Sequence, residues 1–278
     1  MDKKEKLLEE MSRYAKTDVM VAFSGGVDST LLLKLACDAA EESGRAVYGV
    51  TVQTRLHPLG EIEEAKKICR EIGARHILLT VDELGEAGIT DNPVDRCYRC
   101  KRHLFLEMLK KAASLGVSTV LEGTNEDDLH VYRPGIRALK ELRIISPLAR
   151  AGLTKAQVRE LAKEYGLSAA SKPAAPCLAT RFPYGTALTY EKLEQVEKGE
   201  DVLKKFAFQN VRLRVHGDIA RIEVCGTDFE KLIKHKTEIV SKLKGLGYHY
   251  ITLDLEGFRS GSMDETVSGI SQINHPLS

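Results

Sequence analysis

The chain has 278 residues, 43% of them apolar and 29% charged, which suits one large or two moderate domains with a buried core. Its 41 Lys and Arg nearly cancel 40 Asp and Glu, leaving a net charge of +1 and no basic field of the kind that advertises a nucleic-acid partner. No apolar run approaches the ~20 residues of a membrane span, and MDKKEKLLEEMSRYAK at the N-terminus is a charged helical pattern rather than a signal peptide, so the expected location is cytoplasmic.

After that helix comes DVMVAFSGGVDST (18–30). The apolar run Val19 to Phe23 reads as a buried strand that stops at Ser24-Gly25-Gly26, and an amphipathic helix pattern opens at Val27. A strand passing through a glycine turn into a helix start makes a phosphate cradle. The glycines let the backbone approach the anion, and the free N–H groups and dipole of the helix attract it. The spacing is neither GxxxxGK[ST] nor GxGxxG, and the motif holds no lysine for a γ-phosphate.

The helix continues to about residue 42. AVYGVTV (46–52) then reads as a strand, GEIEEAKKICREIG (60–73) as a helix and RHILLTV (75–81) as a strand. Strands alternating with helices predict an α/β fold, a parallel sheet covered by helices on both faces, with ligands at the carboxyl ends of the strands. A polar loop (82–95) leads into a helix at 97–116, a strand and polar turn at 117–128, and a basic, irregular stretch at 129–150. Thr154 caps another helix, and a proline-framed loop follows at 171–186. From 210 the chain changes character: two alternating strands form a hairpin about His216-Gly217-Asp218, followed by a helix (228–247), a strand (248–257) and a polar tail that is mobile unless it docks. The expected domains are therefore residues 1–180 and a small α+β domain at 181–278.

The 6 cysteines, in a reducing compartment, suit metal ligation, nucleophilic chemistry or burial better than disulfides. Cys37, Cys69 and Cys225 sit in apolar helix or strand patterns and read as core residues. That leaves the CxxC pair Cys97 and Cys100, beside a helix start where a thiolate is favoured, and Cys177 in the proline-framed loop. Three thiolates could hold three irons of a [4Fe–4S] cluster, with Arg96, Arg99, Lys101, Arg102 and Arg181 offsetting their charge. A zinc site completed by His103, or isolated reactive thiols, fits the residues equally well. Arg212 and Arg214, two apart on a strand, share a face with Glu223 of the paired strand. That face is either solvated or an anion clamp.

SGGVDS resembles the PP-loop of the ATP pyrophosphatases, which cleave ATP between the α- and β-phosphates and leave AMP on an activated substrate. Together with GTNEDDLHVYRPGIRALKELRIISPLARAGLTK (123–155), KPAAPCLATR (172–181), VRLRVHGDIARIEV (211–224) and EGFRSGSMDE (256–265), the likeness narrows to the LarE family. That family supplies sulfur to the nickel-pincer nucleotide cofactor of lactate racemase. The resemblance implies an ATP site on Ser24, Gly25, Gly26, Val27, Asp28 and Ser29, completed by Gly123, Thr124 and Asp127, with Mg²⁺ on Asp28. It implies a pyridinium mononucleotide substrate with two ring carboxylates, held by Arg181, Arg212 and Arg214, with Glu223 beside them. Cys177 matches the family's sulfur-handling cysteine, which in the best-known members gives up its own sulfur and becomes dehydroalanine. The further pair Cys97 and Cys100 is similar to a three-cysteine subgroup that binds a [4Fe–4S] cluster and passes on sulfide held at the open iron. The competing readings are a tRNA thiolase, which the charge balance does not favour, and a PP-loop ligase with zinc on its cysteines. A sulfide donor and a homo-oligomer are the expected partners, with no membrane.

Overall fold

The computed structural model describes residues 2–41, 43–56, 61–131, 133–171, 176–208, 210–259 and 261–263. It divides into two compact units. The first comprises Met1–Thr54, Pro58–Ala87 and Asp95–Ala175; the second comprises Arg55–His57, Gly88–Val94 and Pro176–Ser278.

In the first unit α1 (Lys3–Tyr14) opens with a capping box between Asp2 and Glu5. There follow β1 (Val19–Ala22), α2 (Val27–Glu41), β2 (Val47–Gln53), α3 (Glu61–Ile72), β3 (Arg75–Thr80), the single turn α4 (Glu83–Glu86), α5 (Arg96–Ser114) and β4 (Thr119–Leu121). The strands form one parallel sheet of order β3-β2-β1-β4, as the alternating pattern predicts. Ile145 adds a parallel bridge to Leu121 at the β4 edge. The apolar run in β1 is explained by burial on both faces. On one side Val19, Val21, Leu31, Leu32, Leu148 and Val158 belong to a core built from α1, α2 and α8 (Lys155–Glu164). On the other, Met20 packs with Val50, Phe105, Met108 and Leu139, a core drawn from α5 and α6 (Gly135–Glu141). The stretch expected to be irregular at 129–150 thus holds α6 and the turn α7 (Pro147–Arg150). Ala138 and Leu139 are buried, while the charged residues on either side of them, Arg137, Lys140 and Glu141, project outward.

Cys69 is fully buried and Cys37 half-buried; burial pushes their thiols up to about 12 and about 11, which keeps them unreactive. Cys225, expected in the core, is only half-buried because it stands just past the strand that ends at Val224, at the entry to a turn.

The second unit begins its regular structure with α9 (Tyr190–Lys204), a helix absent from the sequence reading. Thr189 caps it and Leu193, Val196 and Leu203 form its buried stripe; Gly199 and a run of charges mask the period. Next come β5 (Val211–His216) and β6 (Ile219–Val224), the expected antiparallel hairpin. The helix expected at 228–247 is broken at His235 into α10 (Phe229–Lys234) and α11 (Lys236–Gly245), and β7 (Tyr250–Leu253) pairs parallel to β6. The start of the expected mobile tail is docked. Ser262 donates 2.7 Å to Glu223, Arg221 lies 3.5 Å from the Met263 sulfur, and both tail residues are buried. Residues 172–175 of the proline-framed loop and the tail from 264 lie outside the described residues. No described helix is long and apolar enough to cross a membrane.

Candidate active site

In the first unit β1 carries the chain to Ser24 at its carboxyl end, beside β4. This is the point where the sheet order reverses, and it is where α/β sheets place ligands. Gly25 turns the chain at φ +71°, a left-handed conformation that side chains resist. The turn is tied by short polar links. Ser29 Oγ donates to Gly26 O at 3.1 Å and lies 3.2 Å from Ser24 Oγ, which accepts the Gly26 N–H at 3.4 Å. The first helical bond of α2 runs from Thr30 N to Gly26 O, so the N–H groups of Val27, Asp28 and Ser29 have no intrahelical acceptor. Three backbone donors at a helix start form an anion site.

Gly123, just past β4, lies against this turn. A β-carbon there would sit 3.0 Å from Asp28 Cβ and 3.1 Å from Ser29 N. Thr124 follows: its N–H and hydroxyl donate to the buried Glu122 at 3.0 and 2.8 Å. Asp127 accepts the Lys155 N–H at 2.8 Å, at the first turn of α8. The side chain of the same Lys155 forms an ion pair with Asp28 Oδ2, and Asn125 Nδ2 donates to Asp28 Oδ1 at 3.2 Å. The lysine that the loop motif lacks is therefore supplied from α8. Sequence reading missed Lys155 and Asn125. The cap at Thr154 placed the start of α8, but nothing local indicates a reach across 127 positions to Asp28.

Cys97 and Cys100 are the second and fifth residues of α5, near its start as the sequence predicts, with Cys97 exposed and Cys100 half-exposed. The buried Arg96 places a guanidinium nitrogen 3.9 Å from the Cys97 sulfur, while Arg99 pairs with Asp95. One turn on, Lys101 lies 3.6 Å from Glu122, so this helix is tied to the strand end that carries Gly123. His103, the zinc candidate, turns its Nε2 to Glu86 at 3.1 Å. Among the described residues no three or more His, Cys, Asp or Glu side chains are gathered as metal ligands would be.

The second unit brings together Cys177, Arg181, Arg212, Arg214 and Glu223. Cys177 is half-exposed and precedes a single helical turn, Leu178–Arg181. Arg181 is 3% exposed, grips Glu200 through Nε and Nη2 at 2.8 and 3.0 Å, and points Nη1 at the carbonyls of Pro176 and Cys177. Arg214 pairs with Glu223 at 2.8 Å and donates to Thr180 O at 3.0 Å. Glu223, 0% exposed, also accepts from Arg221 and Ser262. The face shared by Arg214 and Glu223 is thus buried rather than solvated, because each charge has its counter-ion inside the unit. Arg212 differs. It lies half-buried over the Phe258 ring at 5.5 Å and bonds only its neighbour's carbonyl, Val211 O, among the contacts described. Burial first, and Arg181 next, hold its guanidinium below the usual value, so it is the cation of this group best placed to gain from an added anion.

The PP-loop domain family matches residues 1–133. A pyridinium-3,5-bisthiocarboxylic acid mononucleotide synthase of Lactiplantibacillus plantarum is 38% identical over 250 residues, covering 90% of each chain. An uncharacterized protein of Synechocystis is 38% identical over 90% of this chain and 92% of its own. A tRNA-specific 2-thiouridylase of Carboxydothermus hydrogenoformans is 29% identical over 69% of this chain and 63% of its own.

Proposed function

The chain belongs to the LarE family of PP-loop ATP-dependent sulfur transferases, and on that premise we propose that it makes pyridinium-3,5-bisthiocarboxylic acid mononucleotide from the corresponding biscarboxylic acid. What supports the reading is that the likeness to the L. plantarum synthase extends over 250 residues, too many for either unit alone.

A carboxylate is a poor electrophile because its leaving group would be oxide. In this reading a ring carboxylate oxygen attacks the α-phosphorus of ATP and pyrophosphate leaves. The Val27, Asp28 and Ser29 N–H groups, the Ser24 hydroxyl and the Lys155 ammonium receive the departing charge. Asp28 is the carboxylate that would hold Mg²⁺, which supplies further neutralisation of the phosphates. Sulfide-level sulfur then attacks the acyl carbon, the C–O bond to AMP breaks, and a thiocarboxylate remains; a second round gives the dithio product. Arg212 holds the substrate's phosphate or a ring carboxylate.

Cys97, Cys100 and Cys177 would hold the [4Fe–4S] cluster. Soft thiol donors, none of them fully buried, are the chemistry such a cluster takes, and Arg96 brings a guanidinium nitrogen within 3.9 Å of the Cys97 sulfur. When bound, such a cluster supplies an iron that can carry sulfide. Anaerobically reconstituted protein should show an iron–sulfur absorption band that disappears in Cys97→Ala, Cys100→Ala and Cys177→Ala alike, and should convert the biscarboxylate with ATP and sulfide over many turnovers. A single turnover that needs only Cys177 and costs the protein about 34 Da, the mass of H₂S lost on forming dehydroalanine, would replace the cluster with sacrificial donation.

A further inference from the structure

The peptide unit joining Cys177 to Leu178 is pinned on both sides. Its N–H, on Leu178, donates to Leu56 O at 2.9 Å. Its carbonyl, on Cys177, accepts from Thr180 N at 3.1 Å, Thr180 Oγ1 at 2.8 Å and Arg181 Nη1 at 3.2 Å. The preceding carbonyl, on Pro176, accepts from the same Nη1 at 3.1 Å. With the backbone held in this way, the position of the half-exposed Cys177 sulfur is set by the single torsion about Cα–Cβ.

We infer that Arg181, locked to Glu200, is a positioning residue that fixes the Cys177 sulfur for transfer. The inference rests on Cys177 handling sulfur, and it gives Arg181 a role other than holding substrate. Arg181 is buried and one edge of its guanidinium is filled by the Glu200 carboxylate. Glu200 is in turn anchored to β5, because its Oε1 accepts the Leu213 N–H at 3.1 Å. A continuous chain of bonds therefore runs from the sheet through Glu200 and Arg181 to the two carbonyls that flank the Cys177 α-carbon. A second buried pair, Arg214–Glu223, holds the far end of the same turn through Thr180 O.

Stability alone is a weak reason for such a pair, since well-packed apolar residues often serve a fold as well as a buried ion pair does. What apolar residues cannot do is deliver N–H donors to successive carbonyls beside a reactive thiol. Arginine can: its planar fork binds a carboxylate through one edge and leaves Nη1 aimed elsewhere, a geometry that lysine does not reproduce. Precision matters at a transferring atom, because a displacement of about 1 Å can cost about a hundredfold in rate.

The test uses the full-length chain with Arg181→Lys and Glu200→Gln, beside Cys177→Ala. Melting curves give the folded fraction, iodoacetamide labelling followed by peptide mass mapping gives the reactivity of each cysteine, and hydrogen exchange reports the 177–182 turn. The expected result is sulfur transfer lowered about tenfold or more per folded molecule, faster exchange across 177–182, and an altered labelling rate at Cys177 with Cys97 and Cys100 unchanged. Wild-type labelling and exchange at this turn, or a loss of transfer no greater than the loss of folded protein, would overturn the inference. If Cys177→Ala transfers sulfur normally, the sulfur-handling reading fails, while the labelling and exchange arms still decide whether Arg181 positions the cysteine.

Discussion

At Gly123 the end of β4 comes within about one methyl group of the first turn of α2. The clash a side chain would make is with backbone and Cβ atoms, which have no rotamer to escape into. The Ser29 amide it would displace is one of the three donors of the anion site. Gly123→Ala should therefore cost ~1–3 kcal/mol of stability through overpacking. It should also weaken ATP binding about tenfold or more, ~1.4 kcal/mol. Calorimetric titration with ATP beside a melting curve checks both, and an alanine variant that binds ATP normally would show that the loop tolerates displacement. Asp28 presents the same economy of space: one carboxylate serves both Asn125 and Lys155.

At the scale of the element, α8 shows how a helix start can serve a site far away in sequence. Its capping box, Thr154 with Gln157, and Asp127 on the Lys155 N–H fix the first turn, and the Lys155 side chain then runs to Asp28. Removing the ammonium leaves the Asp28 carboxylate with Asn125 but no counter-ion, facing an incoming triphosphate. Lys155→Ala should raise the Kd for ATP about tenfold and leave adenosine binding unchanged, as competition titrations with the two ligands would reveal. Equal losses for both would mean that α8 holds the fold rather than the phosphates. The longer helices of the first unit follow from local pattern, whereas α9, with its interrupted stripe, and α6, in a basic stretch, do not.

The whole molecule carries almost no net charge, so its pH dependence comes from particular groups. His76 and His216 both have pKa values lowered from the ordinary histidine value, mainly by burial. Lys66 adds to this at His76, and Arg221 then Arg214 add to it at His216, with Glu223 opposing. A depressed histidine favours the fold while neutral. Below about pH 6.5 the unfolded chain binds protons that the folded chain does not, so stability should fall as the pH drops from 7 to 5. Melting temperatures across that range should decline in the wild type, and the slope should flatten in His76→Gln/His216→Gln. An unchanged slope would place the acid sensitivity elsewhere.

The parallel α/β unit, the glycine loop at the end of its first strand, the hairpin and the cysteines on which sulfur chemistry could rest are all legible in the amino-acid order. Each of these is written in contiguous residues: apolar runs, glycine turns, caps and a CxxC spacing. Which side chains meet is set by the folded chain. It brought Lys155 to Asp28, bonded Thr124 to Glu122, set Glu200 on an unforeseen helix against Arg181, and buried Arg214 with Glu223 where the strand pattern favoured a solvated face. The physical reason is that a charge discloses its type in sequence but not its counter-ion. Pairing across 19 positions, or across 127, is set by packing of the elements between them.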